Sequence, residues 1–514
     1  MAINLPGIGQ VDWGGELNAA LTTLDEQTIV DGRLDGDDLV LIANSGAETN
    51  VGSVRGEDGE PGPEGPEGPE GPAGETKLRY LNVDDYAQPG DVSDTEAWQR
   101  AVDFLVANPE DYIRTLSGMK PFYQLHNRII VKGLQNVVIG GSALQTLIFK
   151  PAPTTAGGVI FYGPHTEGTL DTFNVTFSNI ELHGGVVSPA DGIFDRKQDR
   201  TRTAPYYNSF LYLQGNGVPG QSTRGAVDRI RIENVTIKDT WGLPVLIQGA
   251  SNVEMTGCRI HRCLDTGFTF TKGVRFVNNR VTWSADNGVS LSRGCTQIVC
   301  VGNNIEGSYY AGIHLGGFAG DPGPDHVVVS GNTVLNSRQY GISAIAGAKN
   351  ASITGNVVDG VLRGGASDGN RDHMVDAAGN YNGSGIVVSG SVANSQLGHD
   401  FTISGNIVKN ADRNGISVGG MTERVTISGN TVTDIGSEFT VGGGTPIGTT
   451  HRYYNVAIGS YGLYDSTIKD VVVVGNTVVD TRSAPLINYA VSLPTTRANQ
   501  RSNYGFNLRN TQTF

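Results

Sequence analysis

Apolar and polar residues alternate in short runs through the larger part of the chain, and the runs are copies of one another. The clearest unit reads VVVSGNTVLNSRQYGISAI at 327–345. Near-copies are ASITGNVVDG (351–360), FTISGNIVKNADRNGISVGG (401–420), VTISGNTVTD (425–434) and VVVVGNTVVD (471–480). Looser ones are VTFSNIEL (175–182), IRIENVTI (230–237), VEMTGCRI (253–260), VRFVNNRV (274–281) and QIVCVGNNI (297–305). Aligning them gives one recurring position, filled by Ile180, Val235, Cys258, Asn279, Asn303, Asn332, Asn356, Asn406, Asn430 and Asn476. Most intervals run from 21 to 29 residues, with longer ones of 55, 50 and 46. Period-two alternation predicts strands with one buried face, and self-similarity at this period predicts a solenoid.

A second strand keeps constant phase. Nine residues after the recurring position come Gly267, Gly288, Gly312, Gly341 and Gly415, each opening a short apolar run. Each coil therefore reads strand, tight turn, strand, wider turn, strand, with successive coils ~4.8 Å apart. Asparagine suits the tight turn because it tolerates the left-handed conformation, and stacked amides can bond between rungs.

Upstream, the pattern changes. Residues 14–27 place Leu17, Leu21 and Leu24 at helical spacing, which predicts a short amphipathic helix in need of a partner. A longer helix follows Asp94 as its cap, with Ala97, Ala101 and Phe104/Leu105 on one face. Between the two, glycine recurs every third residue from Gly56 to Gly74 in GEDGEPGPEGPEGPEGPAGET. Strict G-X-Y spacing with proline is the collagen signature, since only glycine fits where three chains meet. It predicts a homotrimer with a stalk of roughly 60 Å at ~3 Å per residue.

Composition narrows the partners. The chain carries 72 glycines, a formal charge of −14 and a pI near 5.1, without a basic stripe, so no nucleic-acid partner is expected. No apolar run approaches the ~20 residues of a membrane span, so no membrane insertion is expected. The N-terminus lacks the basic and apolar regions of a secretory signal, so synthesis in the cytoplasm is expected, with release by another route if the protein acts outside. Cys258, Cys263, Cys295 and Cys300 form two C-x4-C pairs; they read as small inward-facing hydrophobes, and no metal site is assigned to them.

These features resemble the pectate-lyase-like right-handed parallel β-helix in the form found in phage tailspikes and tail fibres, over roughly residues 80–490. YLNVDDYAQPGDVSDTEAWQRAVDFL (80–105) looks like a divergent lead-in and capping helix of that family. GIGQVDWGGELNAALTTLDEQ, followed by collagen triplets, looks like minor tail proteins of actinobacterial phages. The resemblance implies an all-β fold with five regions: a virion-attachment region (1–55), a collagen-like stalk (56–76), a lead-in with capping helix (77–132), the parallel β-helix (133–490) and a C-terminal cap (491–514). It also implies a location in the virion tail, other tail proteins as partners of the N-terminus, and a host cell-surface polysaccharide as target.

Function is expected where the repeat is interrupted. Three long insertions, 191–207, 359–384 and 436–454, fall in the wider turn and should leave one edge of the solenoid. The short turns between them carry Asp239, Trp241, Arg262, Asp265, Trp283, Asp286, Tyr309, Tyr310 and Arg338, with Tyr340 a step beyond. Flat aromatic faces suit sugar rings, and carboxylates and guanidinium groups suit hydroxyls. Trp241, Arg262, Trp283, Tyr309, Tyr310 and Arg338 are thus candidate carbohydrate contacts. On the insertions, His373, His451, Tyr453 and Tyr454 join them. Asp265 and Asp286, at equivalent positions ~5 Å apart, are candidates for an acid–nucleophile pair or for calcium ligands. Asp372, beside His373 and Arg371, is the third catalytic candidate, and a second cleft lies over Asp412 and Arg413. Three readings remain: a non-enzymatic receptor-binding fibre, a glycoside hydrolase or polysaccharide lyase, and a collagen-like surface or adhesive protein unrelated to phage.

Overall fold

The computed structural model describes residues 28–53, 79–141, 146–151, 160–163, 170–184, 209–222, 224–240, 242–317, 320–361, 383–391, 395–436, 440–441, 445–446, 455–460, 467–493, 498–501, 503–506 and 508. The chain divides into two compact units, 1–77 and 78–514. The collagen-like triplets, the expected helix at 14–27 and most of the three insertions lie outside the described residues.

In the first unit, strands Ile29–Asp35, Asp38–Ala43 and Glu48–Ser53 form an antiparallel meander, which the sequence reading did not anticipate. Gly36 takes φ of 65° in the first hairpin. Ile29, Val30, Leu34 and Val51 are exposed and only Val40 is buried, so the described part of this sheet has little core of its own.

The second unit is a right-handed parallel β-helix. Its described strands form three parallel sheets: sheet 1 with 14 strands, sheet 2 with 13 and sheet 3 with 12. Each coil visits them in that order. Coiling begins earlier than the expected residue 133, since Arg114–Ser117, Tyr123–Leu125 and Ile129–Ile130 already occupy sheets 1, 2 and 3. It also continues into the expected cap, where Ala498–Arg501 and Tyr504–Phe506 extend sheets 1 and 2.

Sheet 1 meets sheet 2 at a two-residue corner, here called the bend corner. The recurring asparagines sit on its inner side. Asn332 Nδ2 donates to Asn356 Oδ1 (2.9 Å) and to the Cys300 carbonyl (2.9 Å), and its N–H donates to the same Oδ1 (3.0 Å). The same pattern joins Asn279, Asn303, Asn332, Asn356, Asn406, Asn430 and Asn476, and Asn503 adds a further rung. The left-handed residue is not this asparagine but the one before it: Gly302, Gly331, Gly355, Gly405, Gly429 and Gly475, all with φ near 62–68°. The G-N dipeptide thus splits two tasks, turning the chain and linking the rungs.

Sheet 2 meets sheet 3 at the wider turn, the loop corner. Val334 and its equivalents crowd the inner side of this turn. A Cβ built on Gly312 would lie 2.3 Å from Val334 Cγ1, and one on Gly341 2.3 Å from Val358 Cγ1. Glycine is required there. Gly267, assigned to the same column from its spacing, lies opposite Ser290 two residues out of register, and its Cβ would meet only Leu246 Cδ1 at 3.2 Å.

Helix Asp94–Ala107 covers the N-terminal end of the coils. Its cap is Ser93, in a capping box with Glu96, rather than Asp94, and Phe104 is exposed while Leu105 is buried. Trp98 points into the solenoid, edge-on to Tyr123 (5.3 Å) and Phe149 (5.1 Å). Phe161, Phe177 and Phe210 continue this aromatic core, which gives way to valine, isoleucine and the four cysteines further on. All four cysteines are free and buried, and burial pushes each thiol up to about 12.

Candidate functional site

All three insertions leave from the loop corner. Their described flanks, Gly184 and Ser209, Val361 and Gly383, and Gly436 and Asn455, each join a sheet 2 strand to a sheet 3 strand. Trp241, Asp372, His373, His451, Tyr453 and Tyr454 lie outside the described residues.

The short turns between the insertions share an unusual backbone feature. The last outward position of each sheet 2 strand is left-handed: Gly307, Asn336, Gly360 and Asn410 take φ of 74°, 54°, 79° and 51°. Glycine and asparagine enter this region readily. Arg262 (φ 53°) and Trp283 (φ 60°) hold the same position, where a bulky side chain costs ~1–2 kcal/mol. The surrounding rungs hold this strained backbone at Arg262 and Trp283.

Trp283 is 45% exposed and is the largest solvent-facing aromatic among the described residues. Its indole lies over Gly307, where an added Cβ would sit 2.8 Å from Cε3, so Gly307 makes room for the ring. Arg262 pairs with Asp239 of the preceding coil at 2.5 Å. Arg338 caps the Tyr309 ring at 5.0 Å. Tyr309 itself is buried, so it supports the guanidinium rather than offering a face to a sugar. Tyr310 is half-buried and meets Tyr340 (5.5 Å) and His314 (5.6 Å) edge-on.

The turn that carries the carboxylates changes length between the two coils. Cys263 is opposite Ser284 but Thr266 is opposite Val289, so the later turn is two residues longer. The register of sheet 2 nevertheless runs on through Asp265 and Asp286, and the two extra residues follow them. Asn287 Nδ2 donates to Asp265 at 3.3 Å, and the Asp286 N–H donates to the Leu264 carbonyl at 3.0 Å. In the proposed second cleft, Arg413 is almost fully buried, so it lines no open floor. No three His, Cys, Asp or Glu side chains cluster as a metal site among the described residues.

Several polar groups escaped the sequence reading. Glu181 accepts from Lys238 (2.6 Å) and faces His183 Nε2 (2.5 Å) on the outer face of sheet 2. Burial works to raise its pKa, but those two partners prevail and hold the carboxyl below its usual value. His261 Nδ1 lies 2.7 Å from Thr282 Oγ1, and burial lowers its pKa. His314, on the outward column of sheet 3, is buried beside Ser343 Oγ (2.9 Å) and is pushed down to about 4, which keeps its imidazole neutral. At the head of that column Tyr162 and Tyr212 stack at 5.5 Å, with Arg128 over Tyr162 at 4.4 Å. The signal for the tyrosines was a shared F-Y-G and L-Y-L phase, upstream of the clearest repeats.

The family described as a right-handed beta helix region matches residues 165–358. No curated protein matches the chain. Among solved structures, the A-module of the Azotobacter vinelandii mannuronan C-5 epimerase AlgE6 aligns with a TM-score of 0.55 at 15% identity, covering 83% of this chain and 99% of that one. The N-terminal fragment of bacteriophage Phi29 gene product 12 aligns with a TM-score of 0.50 at 13% identity, covering 84% of this chain and 71% of that one.

Proposed function

We propose that this chain is a trimeric tail fibre or minor tail protein of a phage virion that binds a host cell-surface glycan at the loop corner. The fold serves an epimerase and a phage protein alike, so the loop corner and not the fold supports this role. The observation that carries it is Trp283, an exposed indole held in a strained backbone at the edge from which all three insertions leave. Arg262, Asp239 and Arg338 flank it with hydroxyl-binding groups. The G-X-Y segment supports three chains, and the N-terminal region would dock on other tail proteins.

The test is binding of the full chain to a panel of bacterial surface polysaccharides. One or more should bind, and Trp283→Ala should weaken that binding by at least ~10-fold, as loss of an aromatic anchor does. Equal binding by the variant would remove the corner as the site. The depolymerase reading is favoured by the carboxylates Asp265 and Asp286 on the same turns, with Asp372 on the neighbouring insertion and calcium as a candidate cofactor. It predicts release of reducing ends that Asp265→Asn, Asp286→Asn or Asp372→Asn abolishes.

A further inference from the structure

The outer surface at the bend corner changes character along the solenoid. Three rows border it: two on sheet 1 and the first row of sheet 2. Between residues 227 and 281 these rows carry Arg231, Glu254 and Arg275, then Glu233, then Arg259 and Arg280. Arg259 lies directly opposite Arg280, and neither has an ion-pair partner among the described residues. Between residues 297 and 477 the same rows hold no charge, and one strand further on the second row reaches Arg501 and the third Tyr504. The first reads Val299, Val328, Ser352, Thr402, Thr426, Val472. Up to Val474 the second is serine, threonine and valine, and the third runs from Asn304 through Thr333, Val357, Ile407 and Thr431 to Thr477. Val328 and Val472 are 40% exposed and Ile407 is 38% exposed.

We infer that this uncharged corner is the surface on which three copies of the chain meet. The inference rests on the trimeric reading above and adds the face. A ring of three copies uses two different faces of each protomer, and near the axis each residue approaches its own copies. The bend corner offers two adjacent strips, one on sheet 1 and one on sheet 2, and neither carries charge between residues 297 and 477. Each chain carries a formal −14, so side-by-side copies repel unless the surfaces in contact are neutral. The asparagine ladder keeps the rungs in register, so the rows run straight over six strands, about 24 Å at ~4.8 Å per step. A glycan is the poorer occupant, because these three rows contain no aromatic side chain over this stretch. The loop corner, where glycan binding is proposed, is a different corner and stays free.

The experiment compares two single-cysteine variants of the full chain. Thr354→Cys and Thr256→Cys lie on the same sheet 1 row, in the uncharged and the charged stretch respectively. The native cysteines are buried and give little background. Sedimentation velocity first gives the mass. A three-chain mass, with Thr354→Cys labelled by a charged maleimide at least ~10-fold more slowly than Thr256→Cys, is expected. Adding Ser352→Arg, Thr402→Arg and Thr426→Arg should then restore fast labelling at position 354 or dissociate the trimer. A three-chain mass with equal labelling of both cysteines would overturn the face while leaving the trimer. Protection that survives the three arginines would also overturn it, and a single-chain mass would overturn the trimeric reading itself.

Discussion

The coils before and after residue 280 are built on the same three sheets but solve different problems. The early coils have an aromatic interior, with Trp98, Phe149, Phe161 and Phe177, and apolar residues at the recurring position, Ile180, Val235 and Cys258. Their outer rows are charged. The later coils have a Val/Ile interior, an unbroken amide ladder from Asn279 to Asn503 and, up to residue 477, uncharged rows beside the bend corner. Burying an amide column is tolerable only because every Nδ2 and Oδ1 finds the next rung. What it provides is register. A surface that meets copies of itself needs straight, flat rows, whereas a face left in water does better with charges that discourage sheet-to-sheet association.

Exchanging the two kinds of rung should break this comparison most severely. Asn356→Val leaves the Val329 carbonyl and its neighbouring amides without partners, and Val235→Asn buries an amide between Ile180 and Cys258, which offer none. Each should cost about 3 kcal/mol in thermal or denaturant unfolding. A neutral effect of Val235→Asn would show that the early coils could have used the ladder.

Acid should separate the halves next. His314 titrates near 4 when folded against its usual 6.5, so the unfolded chain takes up the proton first. Its contribution is complete above pH 6.5, falls as pH drops towards 4, and amounts to about 3 kcal/mol. The early coils have Tyr212 in that column and no imidazole. Hydrogen exchange at pH 5 against pH 7 should therefore accelerate around 311–345 more than around 209–248, and His314→Gln should remove the difference.

Glycine sharpens the register. Gly312→Ala drives a methyl group into Val334 and should cost about 2 kcal/mol, whereas Gly267→Ala meets only one atom at 3.2 Å and should cost under about 1 kcal/mol. Equal melting temperatures would contradict the two-residue offset. The smallest stability effect belongs to Trp283→Gly, which relieves the left-handed strain and should gain up to about 1 kcal/mol while weakening glycan binding.

Much of this was legible in the chain. The phase of the G-N dipeptides gave the solenoid, the tight and wide turns and the edge from which the insertions leave, because buried rungs tolerate few residue types. The offset at Gly267 was not legible. A turn can lengthen by two residues without changing the local pattern, and here the extra pair falls between Asp286 and Val289. The burial of Tyr309 and Arg413 was hidden for a related reason, since sequence spacing fixes which turn a residue occupies but not which way its side chain leaves it. Glu181, His183 and Lys238 were missed because their meeting depends on a 57-residue separation across two rungs, one of which carries an insertion. The change from charged to neutral outer rows was readable once the phase was known, yet its meaning appears only when the rows are laid side by side.

The most direct test is covalent. A short bis-maleimide applied to the full chain bearing Ser404→Cys, beside the bend corner, should yield chain-to-chain products on a denaturing gel. The same reagent on Asn336→Cys, at the loop corner, should yield none. Cross-links at Asn336→Cys without any at Ser404→Cys would place the contact on the opposite side of the solenoid and contradict the account.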